Sequence, residues 1–102
     1  GLAQASQAIT ADASSQVANV TSAVTEINAT SATGAISLAD GAEGQIKTFI
    51  NVSTSGTNNV VITPTNLRGG TTITLNAEGE TVTCLFKNAK WNVIAGNGYV
   101  VA

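Results

Sequence analysis

The chain of 102 residues has no histidine, no methionine, one cysteine and one proline. Without histidine it lacks the most common general base and the usual imidazole ligand of zinc sites. Cys84 has no partner for a disulfide within the chain. The acidic pairs Asp40 with Glu43 and Glu78 with Glu80 show neither the ligand spacing of a calcium loop nor the facing carboxylates of a glycosidase. We therefore expect no enzymatic activity, no cofactor and no metal ion.

Aromatic residues make up only 4% of the chain and charged residues 10%, against 43% hydrophobic residues. Soluble domains usually carry about 25% charged residues, so Thr, Ser, Asn and Gln must cover much of this surface. The core must come mainly from Val, Ile, Leu and Ala, of which Val and Ile favour strands. A net charge of −2 with four basic residues argues against a nucleic-acid partner. No apolar run approaches the roughly 20 residues of a membrane-spanning helix, so no membrane partner is expected.

From residue 34 onward, short alternating runs are separated by turn residues, a pattern typical of sandwiches and barrels. Within 81–87, Val82, Cys84 and Phe86 share one face and are predicted to point inward. Apolar runs on both sides of Asn88-Ala89 predict a tight hairpin. The predicted strands cover residues 35–39, 45–53, 60–63, 71–75, 81–87, 90–95 and 99–101. We expect an all-β fold, either a small antiparallel β-sandwich or a barrel-like module.

The first third of the chain permits two interpretations. Its apolar residues are spaced three, four and three apart, as on one stripe of a helix: Val17, Val20, Val24 and Ile27. Most intervening residues are poor helix formers, and no basic residue supports a helix, so a strand is favoured. Residues 1–13, rich in Ala, Gln and Ser, are interpreted as an extended N-terminal arm. Residues 14–102 are then a single β domain.

A weak internal echo links two parts of the chain. Residues 36–38 (ISL), followed by AEG at 42–44, resemble residues 73–75 (ITL), followed by AEG at 77–79. Each copy leads into an apolar run. Two related hairpins explain this similarity, although two copies are too few to define a repeat architecture.

Trp91 is the most notable candidate for a binding residue. An aromatic face flanked by hydrogen-bonding groups suits stacking against a sugar or a base. The candidate surface contacts are Asn88, Trp91, Asn92 and Tyr99. The alternative is that Trp91 anchors a core that has few other aromatic side chains, and the composition favours this second interpretation.

Residues 34–102, about two thirds of the chain, carry a combination of short motifs. They are ISLADG at 36–41, GQ at 44–45 followed by Lys47, ITP at 62–64, GGTTITL at 69–75 and FKNAKWNVI at 86–94 before NG at 97–98. This pattern resembles the small β-modules of virion proteins in tailed bacteriophages, especially marine ones. Such modules occur as head decoration proteins and in fibre or tail proteins.

The resemblance implies a virion location and a structural role. We expect a capsid decoration or cement protein on the capsid surface, present as a homotrimer, with the major capsid protein as its partner. The main alternative is a fibre or tail module that recognises a host-surface glycan. A carbohydrate-active or peptidoglycan-cleaving virion enzyme is a third hypothesis, disfavoured because the sequence shows no convergent acid–base pair.

Overall fold

A computed structural model describes residues 4–55 and 57–102, and its regular structure is entirely β. The ten strands are β1 (Ser6–Ala11), β2 (Gln16–Ala18), β3 (Val24–Ala29), β4 (Thr33–Leu38), β5 (Ile46–Asn51), β6 (Asn59–Pro64), β7 (Ile73–Leu75), β8 (Thr81–Lys87), β9 (Lys90–Asn97) and β10 (Val100–Val101). No helix long and apolar enough to cross a membrane occurs in this part of the chain.

The strands form two five-stranded sheets that pack face to face as a sandwich. Sheet A has the order β1-β3-β5-β8-β9, and sheet B has the order β10-β7-β6-β4-β2. Side chains alternate between the interior and the outer faces, as the pleat requires. The inward side chains of both sheets form one hydrophobic cluster, whose largest members include Trp91, Phe49, Ile27 and Ile36.

The expectation of a purely antiparallel sandwich is wrong, because both sheets are mixed. The first six strands alternate between the sheets, so that β1, β3 and β5 are parallel in sheet A. Likewise β2, β4 and β6 are parallel in sheet B. Parallel neighbours need a long crossover connection, and here a strand of the opposite sheet supplies it. The first six strands thus form three stacked coils, each made of one strand from each sheet: β1 with β2, β3 with β4, and β5 with β6. The later strands add the antiparallel pairs.

Two further parts of the predicted fold class are corrected. The sheets remain separate, so there is no barrel. The extended arm predicted for residues 1–13 is also wrong over Ser6–Ala11, because these residues form β1 and pair with β3 along its whole length. Ile9 and Ala11 of β1 point into the core, which gives this segment a packing role. Residues 1–3 of the predicted arm lie outside the described residues.

Most strand positions predicted from the alternation are confirmed. The strand over 81–87 has the predicted bounds, with Val82, Cys84 and Phe86 buried. The first third is strand and not helix, since Val17 lies in β2 and Val24 begins β3. The echo does not reflect two hairpins: β4 and β5 lie in different sheets, as do β7 and β8.

A buried asparagine ties the coil formed by β5 and β6 to its neighbours. The Asn51 amide donates to the carbonyls of Asn58 and Leu75 at 3.1 and 3.0 Å. Its oxygen accepts the backbone N–H and the hydroxyl of Ser53. The Ser53 hydroxyl oxygen in turn accepts the N–H of Ala29 at 2.9 Å. These bonds satisfy polar groups that would otherwise be costly to bury, and they fix the start of the 52–58 connection.

Close packing of small residues sets the corner where β4 begins. Gly34 is buried, and a Cβ added there would lie 2.8 Å from the Ala29 Cβ and 3.2 Å from the Ala11 Cβ. We expect Gly34→Ala to lower the free energy of unfolding by about 1–3 kcal/mol through overpacking. Urea denaturation checks this, with Thr33→Ala at the exposed neighbour as the control. Equal stability of the two variants would contradict this account of the corner.

Candidate functional site

The four predicted contact residues do not form one surface. Trp91 has 0% exposure and lies in the core, so it offers no face to a ligand in this structure. Its ring meets the Phe86 ring edge to face, with 5.2 Å between centroids. Its Nε1 donates to the Ala39 carbonyl at 3.0 Å. The structure thus agrees with the core interpretation of Trp91.

Asn88 and Asn92 lie close together at the β8–β9 hairpin, where Arg68 contacts both. Arg68 Nε donates to Asn92 Oδ1 at 2.7 Å, and its Nη2 donates to the Asn88 carbonyl at 3.3 Å. The Asn92 amide nitrogen also donates to three carbonyls of the hairpin, those of Leu85, Lys87 and Lys90. Asn92 therefore uses its hydrogen-bonding groups within the protein.

Tyr99 lies beyond the opposite end of β9 and is 37% exposed. A Cβ at Gly96 would lie 2.7 Å from its ring, which places Tyr99 beside Gly96. Asn92 precedes Gly96 by four strand residues, a separation of roughly 13 Å. Tyr99 and the asparagine pair therefore belong to different regions of the surface.

Glu43, which the sequence did not single out as a binding residue, holds the β8–β9 turn. Both central residues of the turn have positive φ, 55° at Asn88 and 65° at Ala89, as a type I′ turn requires. The Glu43 carboxylate accepts their backbone N–H groups at 2.9 and 3.0 Å. The hydrogen bonds from Ala89 and Asn88 lower the pKa of Glu43, with a smaller contribution from the charge of Lys87. This carboxylate is an exposed clamp on the turn.

Lys47 is the most unusual charged residue, because its side chain is fully buried. Its ammonium donates to the Ser22 carbonyl at 2.7 Å and to Thr25 Oγ1 at 2.5 Å, and it lies 5.4 Å from the centre of the Phe49 ring. Burial lowers the pKa of Lys47 to about 8. Its two oxygen partners are a carbonyl and a hydroxyl, so the arrangement suits a structural tie between β5 and the segment before β3.

Few charged side chains lie on the broad faces of the sandwich. Half of the ten charged residues in the chain surround the β8–β9 turn: Asp40, Glu43, Arg68, Lys87 and Lys90. In residues 4–55 and 57–102, no three His, Cys, Asp or Glu side chains come together as potential metal ligands. The geometry therefore directs attention to the uncharged sheet surfaces.

The outer surface of sheet A is the best candidate interaction surface. We call it the sheet A face and define it by the outward side chains Ser6, Ala8, Thr10, Val24, Glu26, Asn28, Ile46, Thr48, Ile50, Thr81, Thr83, Leu85, Lys87, Lys90, Asn92 and Ala95. One uncharged row crosses all five strands at Ser6, Val24, Thr48, Thr83 and Ala95. The charged residues on this face are Glu26, Lys87 and Lys90, and the two lysines lie together at the end next to the β8–β9 turn.

Two local features make the sheet A face suitable for a protein partner. Ile46, the first residue of β5, is 54% exposed and places a large apolar side chain on this face. Beside it is an open pocket of about 310 Å³ lined by Gln4, Ala23, Val24, Ile46 and Thr48. A partner side chain packed in this depression would cover Ile46 and remove its apolar surface from water.

No protein-family model and no curated protein matches this chain. Sequence reasoning missed the sheet A face because it depends on which strands are neighbours. The alternation within 81–87 identified Thr83 as outward, but nothing local placed it beside Thr48, whose hydroxyl lies 3.0 Å from that of Thr83.

Proposed function

We propose that this protein is a structural component of a phage virion, most specifically a capsid decoration or cement protein that binds the major capsid protein on the outer shell. The observation that carries the proposal is the uncharged row across all five strands of sheet A. A flat surface of Thr, Val and Ala side chains packs against another protein at a low desolvation cost.

The proposed mechanism is stabilisation by mass action. A protein that binds the assembled shell and not its separated subunits shifts the equilibrium towards the shell. The sheet A face suits such a role because its side chains are held by the pleat and lose little freedom on docking. The charged residues around the β8–β9 turn lie at one end of this face, where they would form a hydrated rim to the contact.

A second candidate is a module of a fibre or tail protein, and the stacked coils favour it. Each coil adds one parallel strand to each sheet, a geometry that can repeat along an axis. Recognition of a host-surface glycan, as expected for this alternative, has less support, because Trp91 is buried and Tyr99 is separate from Asn88 and Asn92. Copy number per particle separates the roles, since a decoration protein occupies the shell at lattice stoichiometry.

The proposal predicts that the purified protein co-sediments with capsid shells that lack it and raises their melting temperature. Ile46→Lys places a charge on the sheet A face and is expected to weaken shell binding by about tenfold or more, since burying an unpaired charge costs several kcal/mol. Val100→Lys is the matched control, because Val100 is 48% exposed but lies on sheet B. Equal shell binding by both variants, or no binding by the unaltered protein, would overturn the proposal.

A further inference from the structure

One end of the sandwich leaves a bare strand edge in each sheet. Among residues 4–55 and 57–102, β1 pairs only with β3, and β2 pairs only with β4, so both outer strands of the first coil have a free side. β1 has the sequence SQAITA, which contains no charged residue and no proline, and its pairing with β3 has no bulge. Charged residues, proline and bulges usually protect an edge strand from pairing with another chain, and β1 has none of them.

The opposite edges are protected, which makes the bare end distinctive. The chain at 66–68 covers the start of β9, where Trp91 N donates to the Asn66 carbonyl and Arg68 N donates to the Trp91 carbonyl. A register shift between Thr83 and Cys84 interrupts the pairing of β9 with β8. In sheet B the outer strand β10 is only two residues long. The molecule thus blocks one pair of edges and leaves the other pair free.

The free backbone groups of β1 can be assigned from its bonds to β3. The Ala5 carbonyl accepts from Val24 N at 3.3 Å, and the Ala11 carbonyl accepts from Thr30 N at 2.8 Å. Along a parallel strand, alternate residues turn their N–H and C=O towards the same neighbour. The odd-numbered residues from Ala5 to Ala11 therefore turn their backbone groups towards β3. Ala8 and Thr10 turn theirs away from β3 and into solvent.

We propose that β1 is the interface of a homodimer in which two copies join edge to edge around a two-fold axis at Ile9. In this register Ala8 lies opposite Thr10 of the second copy, and each such pair exchanges both N–H···O hydrogen bonds. The two Ile9 side chains face each other on the interior side. Ile9 is the most exposed member of the hydrophobic core, at 9%, and the pairing covers it.

The two-fold register is self-complementary, which is why the occupant is a second copy of this chain. Inward residues meet inward residues and outward residues meet outward residues, so each face of the joined sheet keeps its character. A strand-paired trimer would instead need two different free edges on each copy, and the covered start and interrupted pairing of β9 disfavour the second. The edge geometry therefore favours a dimer over the trimer expected from the sequence. The dimer does not depend on the virion role.

A disulfide test reports on this register directly. Opposed residues of a non-hydrogen-bonded antiparallel pair have Cα atoms about 4.5 Å apart, within the range for a disulfide. We expect Ile9→Cys to form a covalent dimer under mild oxidation, visible on a non-reducing gel. Thr63→Cys, on an exposed position of central strand β6, is the control and should stay monomeric. A dimeric protein in which Ile9→Cys fails to cross-link would overturn the register.

The state of the unaltered protein is measured by light scattering over a concentration series. A mass close to twice 10.2 kDa is expected. Ala8→Pro removes an N–H that faces away from β3, and should weaken the dimer by about tenfold or more while the monomer remains folded. Ala13→Pro, in the exposed turn after β1, is the matched control. A monomer at all concentrations, a trimer, or a dimer unaffected by Ala8→Pro would overturn the proposal.

Discussion

Replacing Trp91 with alanine is expected to lower the free energy of unfolding by about 3–5 kcal/mol, the usual range for a fully buried large aromatic side chain. Trp91 has no exposed surface, and its indole bonds to the Ala39 carbonyl and packs edge to face on Phe86. The packing around it is tight, because a Cβ at Gly41 would lie 2.9 Å from the indole. A domain of this size has about 5–15 kcal/mol of stability in total, so the variant should be marginally folded.

Urea denaturation followed by far-ultraviolet circular dichroism measures this loss without relying on tryptophan fluorescence. Tyr99→Ala is the control for removal of an aromatic ring, and it should cost much less because Tyr99 is 37% exposed. Trp91→Phe should fall between the two, since it keeps a ring but loses the hydrogen bond to Ala39. A Trp91→Ala variant as stable as Tyr99→Ala would show that Trp91 does not anchor the core.

The stability of the unaltered protein is expected to rise with pH between about 8 and 9, where Lys47 titrates in the folded protein and the Cys84 thiol remains largely protonated in both states. The pKa of Lys47 falls to about 8 in the folded protein because the ammonium is buried, whereas a lysine in an unfolded chain has a pKa near 10.4. Between these two values Lys47 is protonated more often in the unfolded state than in the folded state, so its deprotonation at higher pH favours folding. From pH 8 to pH 9 this difference corresponds to a gain of about 1 kcal/mol, and the gain is absent below pH 8.

Lys47→Met should remove this rise, because the variant fills the same space without a titrating group. Denaturation at several pH values from 7 to 10 tests the prediction. The exposed Lys90→Met is the matched control and should keep the rise. Above pH 9 the buried thiol of Cys84 opposes the rise, because burial raises its pKa to about 12 and the unfolded chain then releases the thiol proton more readily than the folded protein. A flat profile for the unaltered protein, or an unchanged rise in Lys47→Met, would contradict this role of Lys47.

Local pattern was enough to locate most strands, because alternation along a strand follows from the pleat itself. Thr81–Lys87 shows this most directly, because the strand has the predicted bounds. The turn at Asn88-Ala89 was predicted from the apolar runs on both sides of it. The same logic failed for residues 6–11, where Ala, Gln and Ser residues obscured the alternation. Ala11 is inward because it lies close to Gly34, a contact that only the assembled sandwich creates.

The candidate site was less accessible from the sequence. Asn88, Trp91, Asn92 and Tyr99 were grouped because they lie near one another along the chain. The structure separates them: Trp91 turns inward, and Tyr99 lies at the far end of β9. The sheet A face instead combines residues from β1, β3, β5, β8 and β9. Its contact between Thr48 and Thr83 joins positions 35 residues apart.

The sequence by itself determined that the chain is β, where most of its strands and turns lie, and that its surface is poor in charge, because propensity, pleat and composition are local properties. Tertiary structure alone decided that successive strands alternate between two sheets and that the early pairs are parallel. It also decided that Lys47 is buried and that β1 is left with a bare edge. Each of these depends on contacts between distant segments, and the alternating pattern of a strand is the same whichever neighbour it pairs with.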